Sequence, residues 1–302
     1  MAPVDKEQRL RLAVQKSGRL TGPSLDLLSR CGLKLARGKD QLLGYGENLP
    51  LDLLFVRDDD IPDLVQEDVC DLGLVGLNVL EERRLELAAR GVPAQFDRLR
   101  DLDFGHCRLA LAVPNEARFD GPESLRGKRI ATSYPFMLER FLSNLGIKAE
   151  IVTLSGAVEI APRLGRAELI CDLVATGSTL QANHLREVLT VAEGHAVLVR
   201  TPVALWPFKS AWVARLLLRI DGVERVKESK YIMLHAPRAA LAAICQLLPG
   251  SESPTIIPLE GHPDRVVVHA VCRENVFWET LESLKQAGAS AVLVLPVEKM
   301  LA

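Results

Sequence analysis

The 302-residue sequence lacks a surplus of either charge: 37 Lys and Arg stand against 39 Asp and Glu, a formal net charge of −2. A chain so balanced has no basic excess with which to neutralise a phosphate backbone, which argues against nucleic acid and for small molecules as partners. Paired cysteines are missing too. Cys31, Cys70, Cys107, Cys171, Cys245 and Cys272 are scattered, with no CxxC pair and no tight Cys/His cluster, so no zinc site is expected and the thiols read as reduced and buried. No stretch approaches the roughly 20 apolar residues that cross a bilayer, and MAPVDKEQRL has no apolar core of signal-peptide length, so a cytoplasmic protein away from membranes is expected. Repeats and low-complexity tracts are absent. His106, His184, His195, His235, His262 and His269 show no spacing that assigns a nucleophilic triad, and all six read as structural or surface residues.

What is present is the composition of a globular protein, 48% hydrophobic and 25% charged, at a length of about two ordinary domains. Short β-rich apolar runs alternate with helix-length amphipathic stretches from Leu10 onward, the pattern of a mostly parallel sheet covered by helices. The fold class is α/β. LRLAV (10–14), LDLLFV (51–56) and DLGLVG (71–76) read as strands or strand-turns, and Pro62 opens a helix after Asp58-Asp59-Asp60. CRLALAV (107–113), KRIAT (128–132), EIVTL (150–154) and LICDLV (169–174) are strands of a second α/β unit, with helices expected over 134–146 and around 156–164. The segment 195–225 returns to the first lobe. Two lobes, 1–104 with 195–225 and 105–194, joined by crossings near 104 and 194, would leave a cleft suited to a small molecule. From Tyr231 the order becomes βαββαβ, a ferredoxin-like domain over 226–302.

The most informative stretch runs from Glu159 through Asp172 to Ala175-Thr176-Gly177-Ser178-Thr179-Leu180. Successive amides at a glycine turn and a helix start, with hydroxyls alongside, form a cradle for phosphate. The bare Thr-Gly-Ser-Thr string would serve equally as a helix cap; Asp172 and Glu159 tilt the reading towards phosphate, with Asp172 suited to a hydroxyl or a metal ion. Lys16 and Arg19 follow the first strand and Arg57 follows LDLLFV, positions where an open α/β sheet places ligands, so they read either as phosphate-binding cations or as solvated turn charges. Asp58-Asp59-Asp60 is explained by capping and the helix dipole. Asp71, with Gly73, Gly76 and Asn78, is either a ligand contact or a packing corner, and Tyr134 either stacks on a base or packs half-buried.

The segments RLAVQKSGRL, VRDDDIP, DLGLVGLNVLEE, GKRIATSYP, GAVEIAPRLGRAELICDLVATGSTLQANHLREV, ESKYIMLHAP, ESPTIIPL and GASAVLVLPVEKM resemble the long form of ATP phosphoribosyltransferase over essentially the whole chain. The resemblance implies transfer of a 5-phosphoribosyl group from phosphoribosyl pyrophosphate to N1 of ATP with magnesium. It also implies a core like a periplasmic binding protein, a C-terminal domain that binds histidine as feedback inhibitor, and a homo-oligomer, dimer to hexamer. It places phosphoribosyl pyrophosphate on Asp172, Ala175, Thr176, Gly177, Ser178, Thr179 and Leu180, the catalytic carboxylates at Glu159 and Asp172, and ATP or polyphosphate near Lys16, Arg19, Arg57, Asp71 and Tyr134. Ser253, Thr255 and Ala270 fall where histidine would bind. Cys171 stands where related loops carry a second acid, so magnesium is expected to arrive on pyrophosphate, with Asp172 as its one possible protein contact.

Overall fold

The computed structural model describes residues 9–38, 41–227, 229–248 and 253–300, side chains at 274–277 excepted; the opening residues, on which the expectation of no signal segment rests, lie outside them. The chain forms two compact units, Met1–Ala214 and Arg215–Ala302.

In the first unit, β1 (Leu10–Gln15) buries Leu10, Leu12, Ala13 and Val14. After α1 (Thr21–Arg30) comes a hairpin that the sequence reading missed, β2 (Leu35–Ala36) and β3 (Leu43–Gly46). Two and four residues, two of them glycine, are too few to show a period-two pattern. In β4 (Leu51–Val56), Leu51, Leu53 and Phe55 alternate inward. After α2 (Ile61–Gln66), β5 (Leu72–Gly76) is buried at every position, as befits a parallel strand covered on both faces. Then follow α3 (Leu77–Ala89), the 18-residue β6 (Asp97–Pro114), β7 (Arg129–Thr132), α4 (Pro135–Asn144), β8 (Glu150–Thr153), β9 (Leu169–Val174), the short α5 (Ser178–Ala182), the 16-residue β10 (Leu185–Arg200) and the first part of α6 (Pro207–Glu224), which continues into the second unit from Arg215. The helix expected around 156–164 is a single 3-10 turn, Val158–Ile160. Left-handed backbone at Gly156 and Ala157 precedes it and Pro162 follows.

Ten strands form one series, β2-β3-β4-β1-β5-β10-β6-β9-β7-β8. Strands β4, β1 and β5 run parallel on one side, β9, β7 and β8 on the other, and the antiparallel pair β10 and β6 joins them. Two lobes therefore share two long strands. Their register jumps between Gly194↔Cys107 and Ala196↔Leu102, which leaves residues 103–106 opposite His195. This is a bulge of the kind that bends a strand. Gly105 turns there with φ +67, and a Cβ would collide with Leu20.

The second unit runs β11 (Ser229–Pro237), α7 (Leu241–Leu247), β12 (Thr255–Pro258), β13 (Arg265–Arg273), α8 (Glu274–Gln286) and β14 (Ser290–Pro296). Its sheet is ordered β12-β13-β11-β14, the ferredoxin-like arrangement that the βαββαβ pattern predicts. Ile232, Leu234, Ile244, Val266, Val268 and Leu284 form its core.

Of the two readings left open for Asp71, the structure shows the packing corner. Asp71 precedes β5, at the opposite end of that strand from Gly76 and Asn78, and forms a buried ion pair with Lys209 of α6 at 2.7 Å. The Arg11 amide donates to the same carboxylate at 2.7 Å. This is a packing corner that fastens α6 to the sheet. Replacing Lys209 by Ala would strand the carboxylate and should cost about 3–5 kcal/mol by chemical denaturation. The double variant Asp71→Asn, Lys209→Met should regain most of that stability, because the amide still accepts from Arg11.

Candidate active site

Strands β1 and β4 end level, Gln15 beside Val56, so Lys16 and Arg57 emerge side by side at their carboxyl ends, both exposed. The Lys16 amide extends the pairing, donating to the Val56 carbonyl at 2.7 Å. Ligands of open α/β sheets bind at this end. Arg19 leaves the sheet at the same end, but its guanidinium is engaged: Nη1 donates to the Gly105 carbonyl and Nη2 to Asn78 Oδ1 at 3.0 Å. Asn78 in turn donates from Nδ2 to the Tyr134 hydroxyl at 2.9 Å. Arg19 and Tyr134, read from the sequence as ligand contacts, are thus first the two ends of a bridge from the strand crossing through one lobe to the other. Glu82 of α3 makes a second tie, accepting from the Phe136 and Met137 amides, each at 2.8 Å, and so capping α4 from the opposite lobe. Sequence reasoning missed Glu82. Its signal, an acid fifty residues from the helix it caps, exists only in three dimensions.

Across the cleft, β9 ends at Val174 and α5 begins at Ser178. Gly177 makes the turn with φ +82, a conformation in which a side chain is strained. Thr176 Oγ1 and Ser178 Oγ share a hydrogen bond at 3.0 Å, and Ala175, Thr176, Ser178 and Thr179 are exposed. Leu180 is buried with Val158, Val174 and Leu185, anchoring the loop from below. Among the described residues the Thr179 and Leu180 amides have no protein partner, which leaves the helix start open to an anion.

Asp172 lies within β9 and accepts from the Leu173 amide at 2.8 Å. Burial pushes its carboxyl up to about 6, against the pull of that amide and with Glu159 adding to the push. Glu159 acts on Asp172 through its charge, and its neighbour Val158 is buried in the cluster that holds Val174 and Leu180. Cys171 is fully buried, and burial pushes its thiol far up, so it supplies no thiolate. Among the described residues no three acidic, histidine or cysteine side chains converge into a metal cage. Asp172 with Glu159 offers a carboxylate pair, which fits a magnesium ion that keeps most of its ligands on a polyphosphate.

The acids after β4 meet part of the sequence reading. All three lie in the first turn of the 3-10 turn Asp58–Asp60, where the helix dipole favours them, but neither that turn nor α2 has a side-chain hydrogen bond from its N-cap residue. Asp58, Asp59 and Arg19 from one lobe and Asp172 from the other all act on the Tyr134 hydroxyl; burial and the three acids raise its pKa, and Arg19 opposes them. Both lobes' charged groups therefore meet at one point.

In the second unit Ser253, Thr255 and Ala270 come together. With Tyr231, Ile257 and His269 they line a hollow of about 260 Å³, where the Tyr231 hydroxyl bonds to His269 Nδ1. His106 and His195 sit at the strand crossing, paired with Asp103 and Asp101.

A carboxyl that titrates near 6 when folded and at 3.8 when unfolded carries no penalty in acid. The penalty grows above about pH 4 and is complete above about pH 6, where it amounts to about 3 kcal/mol. Asp172→Asn should therefore raise the melting temperature near pH 8 and leave it nearly unchanged near pH 4. Equal melting curves at both pH values would contradict the burial of this charge.

A sequence model described as ATP phosphoribosyltransferase matches residues 57–222, and one described as the HisG C-terminal domain matches residues 227–299. Among solved structures, the ATP phosphoribosyl transferase (HisG:HisZ) complex from Thermotoga maritima is similar at 27% identity and a TM-score of 0.57, over 70% of this chain and 98% of that one. The alkanesulfonate-binding protein SsuA from Xanthomonas axonopodis pv. citri matches at 17% identity and a TM-score of 0.45, over 74% and 76%. A substrate-binding domain of a putative amino acid ABC transporter from Streptococcus pneumoniae matches at 16% and 0.42, over 72% and 94%. With a family model spanning more than half of its length and continuing through its last domain, the chain belongs to the ATP phosphoribosyltransferase family.

Proposed function

We propose that this ATP phosphoribosyltransferase moves the 5-phosphoribosyl group of phosphoribosyl pyrophosphate to N1 of ATP, releasing pyrophosphate, as a cytoplasmic homo-oligomer inhibited by histidine. The observation that carries this reading is the placement of an open phosphate-type cradle, Thr176 to Leu180, beside half-buried Asp172, with Lys16 and Arg57 at strand ends of the other lobe. The cradle would take the 5-phosphate, and Lys16 and Arg57 the leaving pyrophosphate. As the bond from C1 to pyrophosphate loosens, positive charge builds on the sugar, where Asp172 and Glu159 stabilise it. Holding the ring nitrogen behind C1 supplies much of the remaining rate through orientation. Magnesium on the pyrophosphate, when bound, would neutralise the oxygens that accumulate charge.

No helix among the described residues is long and apolar enough to cross a membrane. For regulation, the hollow lined by Ser253, Thr255, Ala270 and His269 supports histidine as its occupant: it offers hydroxyls and a ring nitrogen at the scale of one amino acid. Inhibition would then be a coupling between two sites.

The direct test mixes the protein with ATP, phosphoribosyl pyrophosphate and magnesium and follows pyrophosphate and a new ultraviolet-absorbing nucleotide. Stoichiometric appearance of both supports the reading; neither appearing rejects it. Asp172→Asn should lower kcat by about 100-fold or more while the fold survives. Thr255→Val should weaken inhibition by histidine about tenfold or more at unchanged basal turnover. Undiminished inhibition in that variant would place histidine elsewhere.

A further inference from the structure

One acid in the cleft is explained neither by packing nor by the roles assigned above. Asp58 opens the turn after β4, and its Oδ1 is shut off from solvent without a hydrogen-bond partner. An unpartnered buried carboxylate oxygen is costly. Asp58 does not offset that cost as a helix cap, because no such bond is made, and the exposed Asp59 and Asp60 already supply charge near the start of α2. Its surroundings belong to the cleft: Arg19 and the Gly76 amide face it, Asp59 adjoins it, and it acts on the Tyr134 hydroxyl together with Asp172 of the other lobe. It thus stands on the acceptor side, across from the phosphoribosyl loop.

We propose that Asp58 is a catalytic and specificity-determining residue, whose carboxylate accepts a hydrogen bond from the 6-amino group of the acceptor purine. The inference rests on the phosphoribosyl transfer proposed above. In that reaction the N1 lone pair forms the bond to C1 while the C1–O bond to pyrophosphate breaks, its electron pair leaving with pyrophosphate. The purine gains one positive charge, shared between N1 and the 6-amino nitrogen. No proton has to move. A desolvated carboxylate on the 6-amino group strengthens as that charge grows, which is differential stabilisation of the transition state, and it aims N1 at C1. It also selects against a 6-oxo purine, which would set an acceptor against an acceptor. Burial pushes Asp58 up to about 6, Arg19 and the Gly76 amide pulling against it and Asp59 adding to the push, so it is ionised at neutral pH and protonated in mild acid.

The test uses the full chain and compares ATP as substrate with ITP as competitive inhibitor; ITP carries a 6-oxo group, and the proton on its N1 leaves no lone pair for transfer. In wild type the inhibition constant of ITP should exceed the KM for ATP by about 100-fold. Asp58→Asn should lose about 100-fold in kcat/KM for ATP and most of that gap, because its amide can donate to a 6-oxo group. Binding of phosphoribosyl pyrophosphate alone, followed by calorimetry, should be unchanged. An inhibition constant for ITP equal to the KM for ATP in wild type overturns the assignment without any variant. A wild-type gap retained in Asp58→Asn overturns it as well. A wild type that releases no pyrophosphate from ATP overturns the transfer reading, and this inference with it, which no behaviour of the variant alone could do.

Discussion

The first unit depends on one constraint: β6 and β10 belong to both lobes, and of the four register shifts in their pairing the widest falls at the crossing, between Gly194 and Ala196. A sheet continuous through two lobes transmits orientation, and a bulge with a left-handed glycine at its centre lets that orientation bend. The side-chain bridges gather at this crossing. Arg19 fastens the Gly105 carbonyl, Asn78 carries the contact to Tyr134, and Glu82 caps α4 from the far side. Each bond is worth about 1 kcal/mol net, small enough for a substrate binding between the lobes to outweigh.

Electrostatics in the cleft work against stability. Asp58 and Asp172 are both pushed up to about 6 by burial, so at neutral pH the folded chain holds two carboxylates that water would solvate better. Asp71 shows the contrast, since its buried charge is matched by Lys209 and by the Arg11 amide. Unmatched acids in a cleft are what a reaction needs when it first builds positive charge on a sugar and then delivers it to a purine.

Much of the scaffold was legible from local pattern. Runs such as Leu10 to Val14 and Leu169 to Val174 carry their burial in their own sequence, and the βαββαβ order of the last domain follows from alternating periods alone. The glycine-hydroxyl turn was legible for a similar reason, since Gly177 and its flanking hydroxyls act through backbone geometry within a few residues. Asp71 stayed open between ligand contact and packing corner because a strand has two ends, and the partner that reveals which end it occupies, Lys209, is 138 residues away. The acids after β4 were read as caps and dipole partners because that is the commonest use of Asp before a helix; they do lie in the first turn, but the amide that donates to Asp58 is that of Gly76, at the start of a different helix.

The sequence by itself determined the α/β class, the ferredoxin-like tail and the glycine-hydroxyl loop, all consequences of periodicity and turn chemistry acting over short range. Only the tertiary structure decided which charges share a cleft, which are locked in packing corners, and that Arg19 and Tyr134 span the lobes through Asn78. Those outcomes follow from burial and from hydrogen bonds between segments far apart in the chain, and neither leaves a periodic trace in the residues that take part.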